Sequence, residues 1–279
     1  MPIGTKPPAH PPACAELGFG LLAGGMRIQA KSILPPGTAL TGNQPTLVFL
    51  HEGLGSITQW RHFPLALARA TGLPALVYDR CGYGKSEARP APMDRCFLET
   101  EAFERLPQVL AACGIEAPIL VGHSDGATIG LLHAARYPSV PLGVIAEAAH
   151  PFIEPKCIQG IWRTLHAFET TQLRDRLRSH HGAQVDAMFR NWSDVWLSPA
   201  FRDWSMVPML PEIRCPVLAI QGEDDEYATA DQVRAILEEV SGPAEGLLVP
   251  NCAHVPHFQA RDQVLARMAQ FIAPLAARA

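Results

Sequence analysis

The feature that most constrains the fold of this 279-residue chain is an alternation of short apolar runs with helical patterns, which begins near Pro45. Such an alternation is typical of buried parallel strands that are covered by helices. The predicted strands are residues 46–50, 75–78, 119–121, 142–146, 216–220 and 246–249. The predicted helices are residues 58–70, 97–113, 126–136, 230–240 and 259–277. We therefore expect an α/β fold with a mostly parallel central sheet flanked by helices.

Two segments depart from this alternation. Residues 19–34 are expected to form an antiparallel lead-in with a turn at Gly24-Gly25. Residues 151–211 contain no convincing strand and hold four of the five tryptophans. A helical cap inserted over an active site has this composition, although the aromatic residues could equally be the insertion's own core. The expected division is a core of residues 1–150 and 212–279 with a helical cap at 151–211.

Composition excludes several classes of function. The net charge of -4 provides no basic field for nucleic acid. No apolar run approaches the length of a membrane span. Seven cysteines without a C-x-x-C pair predict neither a disulfide framework nor a zinc knuckle. Residues 1–14 lack the pattern of a secretory signal, so we expect a cytoplasmic protein.

The stretch I-L-V-G-H-S-D-G-A at residues 119–127 carries the strongest chemical signal. It is an apolar strand that runs into G-x-S-x-G and then into a helical pattern. A serine on such a sharp turn is held in a strained conformation with its hydroxyl exposed. The following helix N-terminus favours developing negative charge. Ser124 is therefore the predicted nucleophile.

This stretch resembles the nucleophile elbow of the α/β-hydrolase superfamily, in its serine hydrolase branch with a helical cap. Residues 50–56, L-H-E-G-L-G-S, resemble the oxyanion loop of that family, and residues 79–86 resemble its D-x-x-G-x-G-x-S turn. The similarity extends over roughly residues 46–271. It implies a catalytic triad in the order serine, acid and histidine, and no cofactor.

The resemblance also implies which acid and histidine complete the triad. A strand that ends in G-x-x-D places the acid at Asp225, with Asp224 and Glu147 as alternatives. The loop after the last strand is similar to the family's G-H-x-P, with Ala253 in place of glycine, and gives His254 as the base. His257 is expected to be solvated or satisfied in the core. No third ligand accompanies the H-x-x-H spacing, and His180-His181 is interpreted as a polar helix end, so no metal site is expected.

Two backbone N–H groups are the expected oxyanion hole. One belongs to Asp125, which follows the nucleophile, and the other to Gly53, by alignment with the family's H-G-x-x-G. Glu52 stands where the family usually has glycine. A carboxylate facing the oxyanion would oppose catalysis, so its side chain is expected to point elsewhere or to meet a cation such as Arg80. Structural pairing is favoured over substrate recognition for both Glu52 and Asp125.

A serine at position 124, where related dehalogenases and epoxide hydrolases have aspartate, favours acyl chemistry. The predicted function is hydrolysis of an ester, lactone or thioester through an acyl-enzyme. A carbon–carbon bond hydrolase acting on a diketone-like ring-cleavage product is the alternative, and a non-catalytic ligand receptor is the third reading. The expected partner is a small, apolar acyl compound, and the oligomeric state is open. The candidate substrate-binding residues are Glu52, Trp162, Trp192 and Trp196.

Overall fold

The structure is a computed structural model that describes residues 14–277. Its centre is an eight-stranded sheet with the strand order β1-β2-β4-β3-β5-β6-β7-β8. β1 and β2 pair as an antiparallel hairpin, β2 joins β4 antiparallel, and all the other pairs are parallel. This confirms the mostly parallel sheet and the antiparallel lead-in. The strands are β1 (Ala15–Ala23), β2 (Met26–Leu34), β3 (Thr46–Leu50), β4 (Ala75–Tyr78), β5 (Pro118–His123), β6 (Gly143–Glu147), β7 (Val217–Gly222) and β8 (Ala244–Val249).

Ten α-helices are described in the same range. They are α1 (Phe63–Thr71), α2 (Phe97–Thr100), α3 (Leu106–Cys113), α4 (Asp125–Arg136), α5 (Pro155–Thr170), α6 (Leu173–His181), α7 (Val185–Leu197), α8 (Asp231–Glu239), α9 (Pro256–Gln259) and α10 (Arg261–Ala276). One π-helical turn, Glu101–Arg105, joins α2 to α3, so the predicted helix at 97–113 is nearly continuous.

Two predicted helix boundaries are wrong, and each has a backbone cause. The first helix begins at Phe63 instead of residue 58, because Arg61 has a left-handed φ of 50° that a helix cannot contain. Pro64 then fits the first turn, where its missing N–H needs no partner. The last predicted helix is divided at Ala260, whose φ of −128° separates α9 from α10.

Alternate residues of the buried strands supply two separate apolar layers. In β3, Leu47 and Phe49 pack against α1 and α10, whereas Val48 and Leu50 pack on the opposite face with α3, α4 and α8. Because successive side chains of a strand point to opposite faces, a five-residue strand that is buried throughout must be covered on both sides. The sheet is therefore sandwiched between helices.

Between β6 and β7 the chain leaves the sheet and forms α5, α6 and α7. These helices bond to loops at the carboxyl ends of the strands: His181 Nε2 lies 2.9 Å from the Leu54 carbonyl oxygen, and the Gly84 N–H donates to His181 Nδ1 at 2.9 Å. The inserted helices thus lie over the edge of the sheet where the predicted site residues follow their strands. Between residues 14 and 277, every helix is too short or too polar to cross a membrane.

Candidate active site

Ser124 occupies a sharp turn between β5 and α4. Its φ of 53° and ψ of −118° are strained for a residue with a side chain. A Cβ added to Gly126 would lie 1.9 Å from the Leu50 carbonyl oxygen, and one added to Gly122 would lie 2.3 Å from the Gly126 carbonyl oxygen. Both glycines are therefore required for β5, α4 and the end of β3 to approach one another. The turn presents the Ser124 hydroxyl at the carboxyl edge of the sheet.

Ser124, His254 and Asp225 follow three different strands and form a continuous hydrogen-bonded chain. His254 Nε2 lies 3.0 Å from Ser124 Oγ, and His254 Nδ1 lies 2.9 Å from each carboxylate oxygen of Asp225. Asp225 also accepts the Tyr227 N–H at 2.8 Å, which fixes the orientation of the carboxylate. Since a carboxylate can only accept, the proton of the neutral imidazole resides on Nδ1 and Nε2 faces the serine.

The electrostatics of His254 and Asp225 follow from burial and from their mutual contact. Burial lowers the pKa of His254, but its hydrogen bond to Asp225 and the charge of that carboxylate outweigh burial, and the pKa is raised. Burial likewise acts to raise the pKa of Asp225, and the bond to His254 more than offsets it, so the pKa is lowered. The pair therefore favours an ionised Asp225 and a His254 that readily takes up a proton.

A second carboxylate–imidazole pair lies close by, between Glu147 and His257. His257 Nδ1 lies 2.9 and 3.0 Å from the two oxygens of Glu147, and the His257 N–H donates to the same carboxylate at 2.7 Å. Glu147 is completely buried and His257 is 3% exposed. Burial acts to raise the pKa of Glu147, but the charge and hydrogen bonds of His257 lower it. Glu147 is thus engaged with His257, and Asp225 is the carboxylate bonded to His254.

The peptide between Glu52 and Gly53 is held by donors on its carbonyl side. The Glu52 carbonyl oxygen accepts from His51 Nδ1 at 2.8 Å, from Arg80 Nη2 at 2.8 Å and from the Gly55 N–H at 3.1 Å. In a planar trans peptide the C=O and the following N–H point in opposite directions. Fixing the carbonyl on one side therefore directs the Gly53 N–H to the other side, and Gly53 lines the cavity that contains Ser124.

The side chains of Glu52 and Asp125 have different partners. Glu52 does not pair with Arg80 through its carboxylate, which instead lies 3.8 Å from His123 Nδ1. Asp125 Oδ2 lies 4.0 Å from Arg80 Nη2, and both groups are buried. Burial raises the pKa of Glu52, and it raises that of Asp125 to about 6. Both carboxyl groups are therefore more easily protonated than usual.

Ser124 and His254 open into a small cavity of about 40 Å³. Gly53 and Asp125, the two predicted oxyanion donors, line the same cavity. Its opposite wall comes from the inserted helices, through Cys157, Ile161, Trp192 and Trp196.

Three of the four candidate substrate-binding residues lie at this cavity, and the fourth does not. Glu52, Trp192 and Trp196 line it. Trp162 lies elsewhere, because its helix, α5, buries Ile161 and turns the next side chain outward; Trp162 is 57% exposed.

Several residues at the site were missed by sequence reasoning. His123 Nε2 donates to the His254 carbonyl oxygen at 2.7 Å, and Tyr227 packs on His254 with 4.6 Å between ring centroids. His150 is buried with its ring 5.8 Å from that of His254. The position of His123 next to Ser124 and that of Tyr227 near Asp225 are signals that could have been used. Nothing in the sequence distinguishes His150.

Comparisons with known proteins identify the family and support the fold. A family model described as the alpha/beta hydrolase family matches residues 47–267. Serine hydrolase BPHL of Mus musculus is 23% identical over 262 residues, covering 84% of this chain and 87% of that protein.

Two solved structures share the fold. One is a membrane phospholipase A described as a bacterial virulence factor, with a TM-score of 0.74 and 19% identity over 93% of this chain and 86% of the other. The other is the enol-lactonase from Burkholderia xenovorans LB400, with a TM-score of 0.71 and 19% identity over 91% and 99% of the two chains. Because the family model spans most of the chain, including the residues of the site, the protein belongs to the alpha/beta hydrolase family.

Proposed function

We propose that the protein is a serine hydrolase that cleaves a carboxylic ester, lactone or thioester through an acyl-enzyme. The observation that carries the proposal is the hydrogen-bonded chain from Ser124 through His254 to Asp225, on a strained turn at the edge of a cavity. A serine hydroxyl is a weak nucleophile and needs an adjacent base whose orientation a third group fixes. The three side chains meet that requirement.

In the proposed reaction, neutral His254 accepts the Ser124 proton as Oγ attacks the substrate carbonyl. Asp225 holds the imidazole in the required tautomer and stabilises the imidazolium that forms. The N–H groups of Gly53 and Asp125 bind the oxyanion, each contributing about 3–4 kcal/mol by analogy with donors removed elsewhere. As the first residue of α4, Asp125 has an N–H without a partner inside its own helix. His254 then protonates the leaving group, and water hydrolyses the acyl-enzyme by the same route.

We assign residues 151–211 to a helical cap on the hydrolase core. The support comes from the cavity, whose apolar wall of Ile161, Trp192 and Trp196 belongs to that segment. The hydrogen bonds of His181 to the loops after β3 and β4 hold the cap on the core. Such a wall suits a short, largely apolar acyl group.

The pH dependence of kcat/KM should consist of one rising limb with a midpoint above about 6.5, the ordinary value for histidine. Only the neutral imidazole accepts the serine proton, and the bond to Asp225 raises the pKa of His254. Activity should therefore be lost as the pH falls through that raised value. Measuring kcat/KM on a p-nitrophenyl ester from pH 5 to 9 tests this. A midpoint well below 6.5, or a flat profile, would contradict a His254–Asp225 base.

A substrate panel should separate the proposed activity from its alternatives. We expect turnover of p-nitrophenyl esters, lactones or acyl-CoA thioesters, because Ser124 and two N–H donors suit an acyl carbonyl. A vinylogous diketone in the same panel tests for carbon–carbon bond hydrolysis. Preference for the diketone over every ester would favour that alternative, and no turnover together with no labelling by a fluorophosphonate would favour a receptor.

A further inference from the structure

A second cavity lies beside the one that contains Ser124 and is much larger. Its volume is about 220 Å³, against about 40 Å³ for the first. Glu52 lines both cavities, so the two are adjacent. The smaller cavity has room for about three water-sized groups. A substrate with a short acyl half there must extend its other half into neighbouring space.

The larger cavity is lined in part by residues that follow His254 in the chain. It is bounded by Val255, His257 and Phe258, which directly follow the histidine of the hydrogen-bonded chain. In acyl transfer the leaving group departs next to the histidine, because that histidine gives it a proton. A leaving group that receives its proton from His254 is thus positioned to extend along these residues.

Arg61 supplies an unpaired positive charge at this cavity. Among residues 14–277, no carboxylate lies within 4.0 Å of its guanidinium, which instead stacks over the Phe258 ring at 4.9 Å. His180 lines the same cavity, and burial together with the positive charge of Arg61 lowers the pKa of His180. Among residues 14–277, Arg61 is one of four non-glycine residues with a left-handed backbone, and such strain concentrates at ligand sites.

The other titratable groups at the cavity are bonded elsewhere or lie at its inner end. His257 Nδ1 is bonded to the buried carboxylate of Glu147. Glu52 is shared with the Ser124 cavity and therefore marks the inner end. A ligand with a carboxylate is thus best accommodated with that group at the Arg61 end, away from Glu52. Arginine binds carboxylates through paired N–H donors. Arg61 is exposed, and its stacking on Phe258 leaves those donors available to a ligand.

We propose, on the premise of the ester hydrolase activity above, that the larger cavity binds the leaving half of the substrate and that Arg61 selects a leaving group with a carboxylate at its far end.

The test compares the acetate esters of 4-hydroxybenzoate and 4-hydroxybenzamide, which differ in charge and little in size. The measured quantity is the ratio of kcat/KM for the two esters. Arg61→Gln should lower this ratio by about tenfold relative to the parent protein, because a charge-assisted hydrogen bond is lost. Arg69→Gln, an exposed arginine in the last turn of α1, is the matched control and should leave the ratio unchanged. Comparing ratios removes the difference in intrinsic reactivity between the esters.

The proposal is overturned if the ratio in Arg61→Gln stays within twofold of the parent value. It is also overturned if Arg69→Gln lowers the ratio as much as Arg61→Gln does, because that result would indicate a general effect of charge. Failure of the parent protein to hydrolyse either ester would count against the proposed function instead. Calorimetric binding of 4-hydroxybenzoate then tests the cavity alone. Its affinity should fall about tenfold in Arg61→Gln while that of 4-hydroxybenzamide is unchanged. An equal affinity of the parent protein and Arg61→Gln for 4-hydroxybenzoate would overturn the proposal even if neither ester were hydrolysed.

Discussion

Ser124→Ala should lower kcat on a p-nitrophenyl ester by about 10⁶-fold, the loss seen when a triad serine is removed elsewhere. The hydroxyl is the only proposed nucleophile, and His254 Nε2 has no other serine within hydrogen-bond distance in the described part of the chain. Folding should be retained, because alanine keeps the Cβ that the strained turn already accommodates. The residual rate would come from the oxyanion donors and from binding alone.

Steady-state kinetics and fluorophosphonate labelling of the purified variant measure this effect. Ser32→Ala is the matched control, since Ser32 is also buried but lies in β2, which β4 and β3 separate from β5. The control should keep parent kcat and parent labelling, and Ser124→Ala should lose both. A kcat of Ser124→Ala near the parent value would contradict an acyl-enzyme formed on Ser124.

Asp225→Asn should lower kcat by about 10⁴-fold, as the same change does in a known triad by favouring the wrong imidazole tautomer. An asparagine amide can donate to His254 Nδ1, and the ring proton then moves to the nitrogen that faces Ser124. The carboxylate that raises the pKa of His254 is also lost. The midpoint of the remaining pH profile should therefore move to lower pH, which can be measured with kcat/KM.

Glu147→Gln is the matched control for this variant. Each substitution replaces a completely buried carboxylate whose two oxygens bond to a histidine Nδ1. We expect Glu147→Gln to destabilise the fold by about 1–3 kcal/mol, seen as a lower Tm, with kcat within a few-fold of the parent. Asp224→Asn should affect neither quantity strongly. If Glu147→Gln were the crippled variant, the orienting acid would lie at the end of β6.

The parts of the molecule that sequence predicts well are those with local causes. Residues 118–136 combine an apolar strand, two glycines around Ser124 and a helical pattern, so strand, turn and helix can all be derived from neighbouring residues. The alternation of buried runs predicts the sheet for the same reason. The start of α1 was misplaced because the left-handed backbone of Arg61 has no signature in residue type, unlike a glycine or asparagine at such a position.

Contacts between side chains that follow different strands are harder to predict from the sequence. Glu147 and His257 are 110 residues apart; one ends β6 and the other follows β8, and these strands are not neighbours, so no spacing rule predicts their contact. Arg80 was expected near Glu52, and it is, yet it binds the carbonyl oxygen and leaves the carboxylate to His123. Backbone acceptors carry no sequence signal, because every residue has one.

The contact of buried Arg80 with the Glu52 carbonyl determines when the free energy needed to orient the Gly53 N–H is expended. Removing a guanidinium from water is unfavourable, and three donors converging on one carbonyl leave its peptide no freedom to rotate. Both costs are met once, when the chain folds. Under the proposed mechanism, a Gly53 N–H fixed in this way needs no rearrangement when negative charge develops on a bound carbonyl, and no part of the barrier to each turnover goes into orienting that donor.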